Sequence, residues 1–75
     1  MRLRIKEVNF EMDKNWVFHL TDGSSDYYVL NENMYKKIGI KSPLSKHHLD
    51  QWDVGHSILC DVVEIKGVKI VTKVK

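Results

Sequence analysis

The stretch that decides the fold is "VGHSILCDVVEIKGVKIVTKVK", residues 54–75. It contains two runs rich in β-branched residues, 56–65 and 68–74, separated by the dipeptide Lys66–Gly67. A two-residue connection that contains glycine is typical of a tight β-hairpin, because glycine adopts positive φ without steric cost. The tail therefore predicts two antiparallel strands.

Apolar residues change sides within the first strand of this hairpin. Ile58, Cys60 and Val62 share one side, whereas Val63 and Ile65 share the other, which indicates a bulge or strong coiling. The second strand is expected to alternate between a core face and a wet face. The core face carries Val68, Ile70, Thr72 and Val74, and the wet face carries Lys69, Val71, Lys73 and Lys75.

The amino-terminal residues 1–10 show the same alternation. One side of this predicted strand is apolar, and the other is basic over its first three positions, Arg2, Arg4 and Lys6. The apolar parity then switches, since Leu3 and Ile5 are odd while Val8 and Phe10 are even. Such a switch predicts a one-residue bulge near residues 6–7 that bends the strand.

Two shorter strands are predicted between these ends, over 16–20 and 27–30. They are flanked by a turn at 11–15 and a loop at 21–26. On the first, Trp16, Phe18 and Leu20 are expected to face the core, while Val17 and His19 face outward. Tyr27 and Tyr28 must point to opposite sides of the second, so one tyrosine faces outward. The sequence leaves open which one.

Helix signals fill the region between the third and fourth strands. Asn31 is a plausible N-cap and Gly39 a plausible helix end, which predicts a helix of about two turns. A second helix is predicted at 43–52, with Ser42 as the N-cap and Pro43 in the first position. Its apolar side recurs at a four-residue spacing and contains Leu44, His48, Leu49 and Trp52. Trp52 is expected to close the open end of a barrel.

The predicted fold class is mainly β, in the order β-β-β-α-β-β, with one or two short helices between strands 3 and 4. We expect one domain over residues 1–75, a five-stranded OB-like small barrel, because bent strands let a short sheet close on itself. An SH3-like barrel is the alternative, although the long helical segment fits it less well.

The tail over 52–75 resembles the last two strands of S1-type OB domains, in which a V-G-[DQ] step opens strand four. Val54–Gly55 match that step, and His56 stands where an acidic or amide residue is usual. The front half reads "MDKNWVFHL" and lacks the glycine and the phenylalanine-rich run of that family. The resemblance therefore implies a fold and the possibility of nucleic-acid binding, but assigns no stacking residue.

Composition limits the possible environments. The chain has 75 residues, a formal net charge of +2 and one cysteine, Cys60, so it cannot form an intramolecular disulfide. A reducing, cytoplasmic location is expected. The start "MRLRIKEVNF" lacks the apolar stretch of a signal peptide, and no run is long enough for a membrane helix.

Catalytic and metal chemistry are not predicted. His47, His48, His56 and Cys60 are zinc-type ligands. However, His56 and Cys60 lie four positions apart in a strand, a separation of roughly 13 Å. The carboxylates are scattered and no glycine-rich phosphate loop appears, so we expect neither an enzyme nor a cofactor.

The function favoured by the sequence is the binding of single-stranded or structured RNA or DNA by a basic and aromatic barrel face. Such binding needs cations along a groove and aromatic rings on which bases stack. The candidate residues are Arg2, Arg4, Lys6, His19, Tyr27, Tyr28, Lys66, Lys69 and Lys73. The alternative is a small protein-interaction or regulatory module, monomeric or homodimeric, with Trp52 as a possible anchor. No membrane partner is expected.

Overall fold

The structure is a computed structural model that describes residues 1–11 and 14–75, without the side chains of Lys46 and Leu49. Met12 and Asp13, which belong to the predicted turn at 11–15, lie outside the described residues. The predicted place of the Leu49 side chain in the second helix lies outside them too.

The chain forms five strands and two short helices. They are β1 (Arg2–Val8), β2 (Trp16–Thr21), β3 (Asp26–Leu30), α1 (Glu32–Ile38), α2 (Lys46–Gln51), β4 (Ser57–Ile65) and β5 (Val68–Val74). The strands close into one barrel in the order β1-β2-β3-β5-β4. Pairing is antiparallel except between β3 and β5, which are parallel, and the β1–β4 pairing closes the barrel. The predicted mainly β fold and its element order are confirmed.

Irregularities in three ladders bend the strands around the barrel. The predicted bulge in β1 lies between Ile5 and Glu7, with Lys6 as the inserted residue. The β4–β5 ladder shifts between Asp61 and Val62, one position before the change of side expected in β4, and the extra residue is Thr72 of β5. A third shift, in β2 between residues 16 and 18, is not predicted by the sequence. Bulges increase local twist, which a small closed sheet needs.

The β4–β5 hairpin corrects the predicted division of β5 into a core face and a lysine face. Val71, expected on the wet face, is fully buried, and its neighbour Ile70 is buried as well. The extra residue Thr72 in β5 is the reason, because it shifts the register so that Val62 pairs with Val71. In the next pair, Val63 with Ile70, the Val63 side chain is 39% exposed, so Val63 does not replace Val62 in the core.

Helix α1 begins and ends where the sequence predicts. The Asn31 side chain accepts a hydrogen bond from the Met34 N–H, and Gly39 ends the helix with a φ of 76°. Tyr35 is fully buried, and its hydroxyl donates to the carbonyl of Val71 and accepts from the N–H of Leu30. Burial raises the pKa of Tyr35, so the hydroxyl stays a donor that ties α1 to the strands.

Helix α2 is shorter than the predicted 43–52. Its N-cap is Ser45 rather than Ser42, because Ser45 and His48 form a reciprocal capping box. Trp52, just after the helix, is only 8% exposed, and its ring lies 5.2 Å from that of Phe18. Trp52 is therefore a core residue, in agreement with its predicted packing role. Neither helix of the described chain has the length and apolar content that crossing a membrane requires.

Candidate nucleic-acid interface

Three aromatic rings meet on the outer surface of β2 and β3. His19 and Tyr28 are paired in register, and their rings stack at 4.9 Å with an interplanar angle of 11°. The ring of Trp16 lies 5.8 Å from that of His19 and 5.9 Å from that of Tyr28. We call Trp16, His19 and Tyr28 the aromatic face.

Trp16 reaches the aromatic face through the unpredicted shift in β2. Strict alternation places Trp16 with Phe18 in the core, but the register shifts between these two residues. Trp16 instead lies opposite Leu30 and next to Tyr28, partly exposed. The ammonium group of Lys14 lies 5.0 Å from the Trp16 ring, a cation–π distance. The alternation of residues in the sequence did not predict a place at this face for Trp16 or for Lys14.

The structure answers which tyrosine faces outward. Tyr28 lies on the aromatic face, whereas Tyr27 is buried in the core. The Tyr27 hydroxyl donates to Asp22 at 2.8 Å, and this hydrogen bond raises the pKa of Tyr27. Backbone N–H groups of Ser25 and Ser24 donate to the same carboxylate and, with Tyr27, lower the pKa of Asp22 to about 2. Tyr27 is thus a structural residue of this loop.

His19 lies on the predicted outer side, but it is only 9% exposed. Its Nδ1 lies 3.3 Å from a carboxylate oxygen of Glu7, and its Nε2 lies 2.9 Å from one of Asp26. Both ring nitrogens are therefore engaged within the protein. The ring fixes the position of Tyr28 by stacking, and the two carboxylates, each more than half exposed, bring negative charge to this surface.

An apolar groove of about 450 Å³ adjoins the aromatic face. It lies between β3, helix α1 and the β4–β5 hairpin, and Trp16 and Tyr28 line it as well. The remaining lining residues are Asn15, Leu30, Met34, Ile38, Ile65, Lys66, Val68 and Ile70. A concave site with many apolar walls and few polar groups is typical of ligand binding.

One of the predicted cations lines the apolar groove, and two others lie on β1. Lys66, in the hairpin turn, lines the apolar groove. Arg4 is exposed on β1, opposite Thr21 of β2, and Lys6 is exposed at the bulge beside Glu7. The structure therefore brings Lys66 to the same groove as Tyr28, whereas Arg4 and Lys6 lie on β1, which pairs with β2.

Two other predicted cations lie elsewhere. The ammonium group of Lys69 donates to the Ser25 hydroxyl at 3.1 Å and lies 5.5 Å from the Tyr27 ring. Lys73 is exposed and pairs in register with Asp61 on the outer side of the β4–β5 ladder. Neither Lys69 nor Lys73 lines the apolar groove.

Arg2, the remaining candidate, lies at a second pocket with His47, His48 and His56. Within residues 1–11 and 14–75, no group of three or more His, Cys, Asp or Glu side chains is placed to hold a metal ion. Cys60 is buried on the inner side of β4, and burial raises the pKa of its thiol, which disfavours the reactive thiolate.

Comparison of the chain with protein-family models, with curated proteins and with solved structures finds no match. A functional conclusion therefore depends on the chemistry of these surfaces, because a fold alone does not define an activity.

Proposed function

We propose that this protein binds single-stranded nucleic acid, without catalysis, on the aromatic face and the adjoining apolar groove. The closed order β1-β2-β3-β5-β4 with parallel β3 and β5 supports assignment to the OB-fold. In that fold, the face of strands 2 and 3 and the loops β1–β2 and β4–β5 bind oligonucleotides or oligosaccharides. The aromatic face lies on those two strands.

The observation that carries the proposal is the pair of partly exposed rings, Trp16 and Tyr28, between two lysines. Lys14 comes from the β1–β2 loop and Lys66 from the β4–β5 turn. Nucleic-acid bases stack on aromatic rings whatever their sequence, and lysines contact the phosphates that link them. Trp16 and Tyr28 are thus the proposed stacking residues, and Lys14 and Lys66 the proposed phosphate contacts.

The other candidate residues have supporting roles in this proposal. His19 holds the Tyr28 ring from behind, since its nitrogens contact Glu7 and Asp26 rather than a ligand. Arg4 and Lys6 extend the positive border along β1. Lys69 and Lys73 act only through the general electrostatic potential, because neither lines the apolar groove.

Fluorescence anisotropy with labelled single-stranded DNA and RNA oligonucleotides tests the proposal. We expect saturable binding at low salt that weakens steeply as salt is raised. Tyr28→Ala should weaken it roughly fivefold to one-hundredfold through loss of one stacking partner, whereas Tyr28→Phe keeps the ring and the affinity. Absence of binding to both nucleic acids at low salt contradicts the proposal.

One observation favours a protein partner as a second candidate. Val63 and Val68 are 39% and 41% exposed on the outer side of the hairpin, and Val68 lines the apolar groove. Exposed apolar patches mark interaction surfaces. The anchor suggested by the sequence, Trp52, is buried and does not belong to this patch. Light scattering across a salt series separates the two candidates, because an apolar complex persists at high salt.

A further inference from the structure

A second pocket, of about 410 Å³, lies between helix α2, the start of β1 and the ends of β4 and β5. It gathers three of the four histidines of the chain, His47, His48 and His56. Arg2 and Lys75 line the same pocket. We call it the histidine pocket, and it shares no lining residue with the apolar groove.

The polar groups of the histidine pocket are mainly hydrogen-bond donors. Arg2 supplies a guanidinium with five N–H groups, and Lys75 supplies an ammonium with three. Nδ1 of His48 accepts the backbone N–H of Ser45 at 3.3 Å, which leaves Nε2 as the N–H donor of a neutral ring. His47 and His56 each provide at least one further N–H.

The charged side chains in the described lining of the histidine pocket are both cations, Arg2 and Lys75. No carboxylate is among the described side chains that line the histidine pocket. Asp61 lies next to it and forms an ion pair with Lys75 at 3.1 Å, in which both side chains are about half exposed. An exposed pair of this kind is weak, so Lys75 can exchange Asp61 for a stronger anion at small cost.

One wall of the pocket is rigid and apolar. Trp52 packs on Phe18 in the core, and the His48 ring stacks on Trp52 at 4.8 Å with an interplanar angle of 19°. The capping box fixes His48 from its other side. At least one donor of the pocket is therefore held in place before any ligand arrives, which lowers the entropic cost of binding.

We propose that the histidine pocket binds a phosphate monoester. A phosphate dianion presents three terminal oxygens that accept several hydrogen bonds at once, which suits donors converging from α2, β1 and the end of β5. A pocket of about 410 Å³ is larger than a phosphate group, so it has room for part of the molecule that carries the phosphate. That molecule is either the end of a nucleic-acid strand or a small phosphorylated metabolite such as a free nucleotide.

Titration with inorganic phosphate at constant ionic strength tests the site, with acetate and chloride as matched anions. Amide chemical shifts of the labelled protein should change saturably around His47, His56 and Lys75. In Trp16→Phe, Trp52 is the only tryptophan, so its fluorescence gives a second readout. Arg2→Gln should weaken binding at least about tenfold through loss of charge-assisted hydrogen bonds. Lys41→Gln, with the same change of charge, should leave binding unaltered.

Three results would overturn the proposal: no saturable shifts, equal responses to phosphate and acetate, or equal affinities of Arg2→Gln and Lys41→Gln. Circular dichroism of each variant establishes that it is folded. The exposed His56→Gln provides a further variant that leaves the barrel core intact.

Two further binding comparisons distinguish which molecule carries the phosphate. A strand end is indicated if a 5′-phosphorylated oligonucleotide binds more tightly than the same strand with a 5′-hydroxyl, and more tightly than a mononucleotide. A free nucleotide is indicated if the mononucleotide binds as tightly as the phosphorylated strand. Because the hydroxyl-ended strand tests the aromatic face alone, failure of the nucleic-acid proposal and failure of the phosphate proposal are separate outcomes.

Discussion

The aromatic face and the histidine pocket each contain one tryptophan and at least one histidine, yet they use them in opposite ways. On the aromatic face, His19 is enclosed by two carboxylates, and the partly exposed Trp16 lines the adjoining groove. In the histidine pocket, Trp52 is buried, and the imidazoles line the pocket with no side-chain carboxylate among the described lining residues. The aromatic face therefore exposes aromatic rings, and the histidine pocket exposes hydrogen-bond donors.

Under the two proposals, this difference gives a small barrel with a net charge of only +2 two kinds of recognition. Bases bind through stacking, which depends on ring faces, and phosphates bind through charged donors. Pairing His19 with Glu7 and Asp26 removes its donors from the aromatic face. Stacking His48 on buried Trp52 instead fixes an imidazole at the edge of a cavity. Under the two proposals, the groups that contact each histidine, more than the residue type itself, determine what each surface binds.

The largest expected effect distinguishes the two tryptophans by stability. Trp52→Ala should lower the free energy of unfolding by about 3–5 kcal/mol, because it removes a buried ring packed on Phe18. Trp16→Ala should lower it by about 1 kcal/mol, as expected for a partly exposed residue. Urea denaturation followed by circular dichroism measures both. Equal losses in the free energy of unfolding would mean that Trp16 is as much a core residue as Trp52, which would contradict the difference between the two surfaces.

The next effect concerns the acidic residues of the aromatic face. Glu7→Gln combined with Asp26→Asn keeps a side-chain acceptor beside each nitrogen of His19 but removes two negative charges. Affinity for a hydroxyl-ended oligonucleotide should rise roughly threefold to tenfold at low salt, since exposed charges contribute up to about 1 kcal/mol each. The control is Glu32→Gln combined with Asp50→Asn, the same charge change on exposed helix residues. An equal gain in the control would assign the effect to net charge alone.

Much of the architecture behind this comparison could be predicted from the sequence, because local chemistry determines it. The Lys66–Gly67 turn, the caps at Asn31 and Gly39 and the β1 bulge each follow from a residue type or a parity switch, and each is present. The same reasoning gave the outward direction of Arg4, which is exposed on β1.

Alternation predicted that His19 and one tyrosine face outward, but the other members of the two surfaces could not be predicted, because ladder register and long-range packing determine them. Trp16 joins the aromatic face through a shift in β2 that leaves no mark on the alternation of residues. The pocket formed by Arg2, His47 and His56 depends on how the end of α2 meets β1, and Ser45 rather than Ser42 caps that helix. Residues far apart in sequence meet there, and no spacing rule connects them.

A smaller effect compares the cations of the two surfaces by their salt dependence. Lys66→Gln should reduce the slope of log affinity against log salt by about 0.7 for a hydroxyl-ended strand, the value for one phosphate contact. Arg2→Gln should leave that slope unchanged for the same strand and reduce it only for a 5′-phosphorylated one. Fluorescence anisotropy at several salt concentrations measures the slopes. Identical changes in both variants on both strands would indicate one diffuse basic surface instead of two sites.

The smallest expected effect concerns stability at acidic pH, which sets the lowest pH at which binding to the two surfaces can be compared. Hydrogen bonds from Ser25, Ser24 and Tyr27 lower the pKa of Asp22 from 3.8 to about 2, so they favour the carboxylate in the folded state. A lowered folded-state pKa adds stability that is fully present above about pH 4 and is lost as the pH falls toward 2. Asp22→Asn keeps an acceptor but cannot titrate, so its urea midpoint should depend less on pH between 4 and 2 than that of the unmodified protein. Asp50→Asn, on the exposed side of α2, should retain the pH dependence of the unmodified protein. If Asp22→Asn keeps the pH dependence of the unmodified protein, the loop at 21–26 does not contribute to acid sensitivity. Any loss of binding at low pH would then arise from the two surfaces themselves.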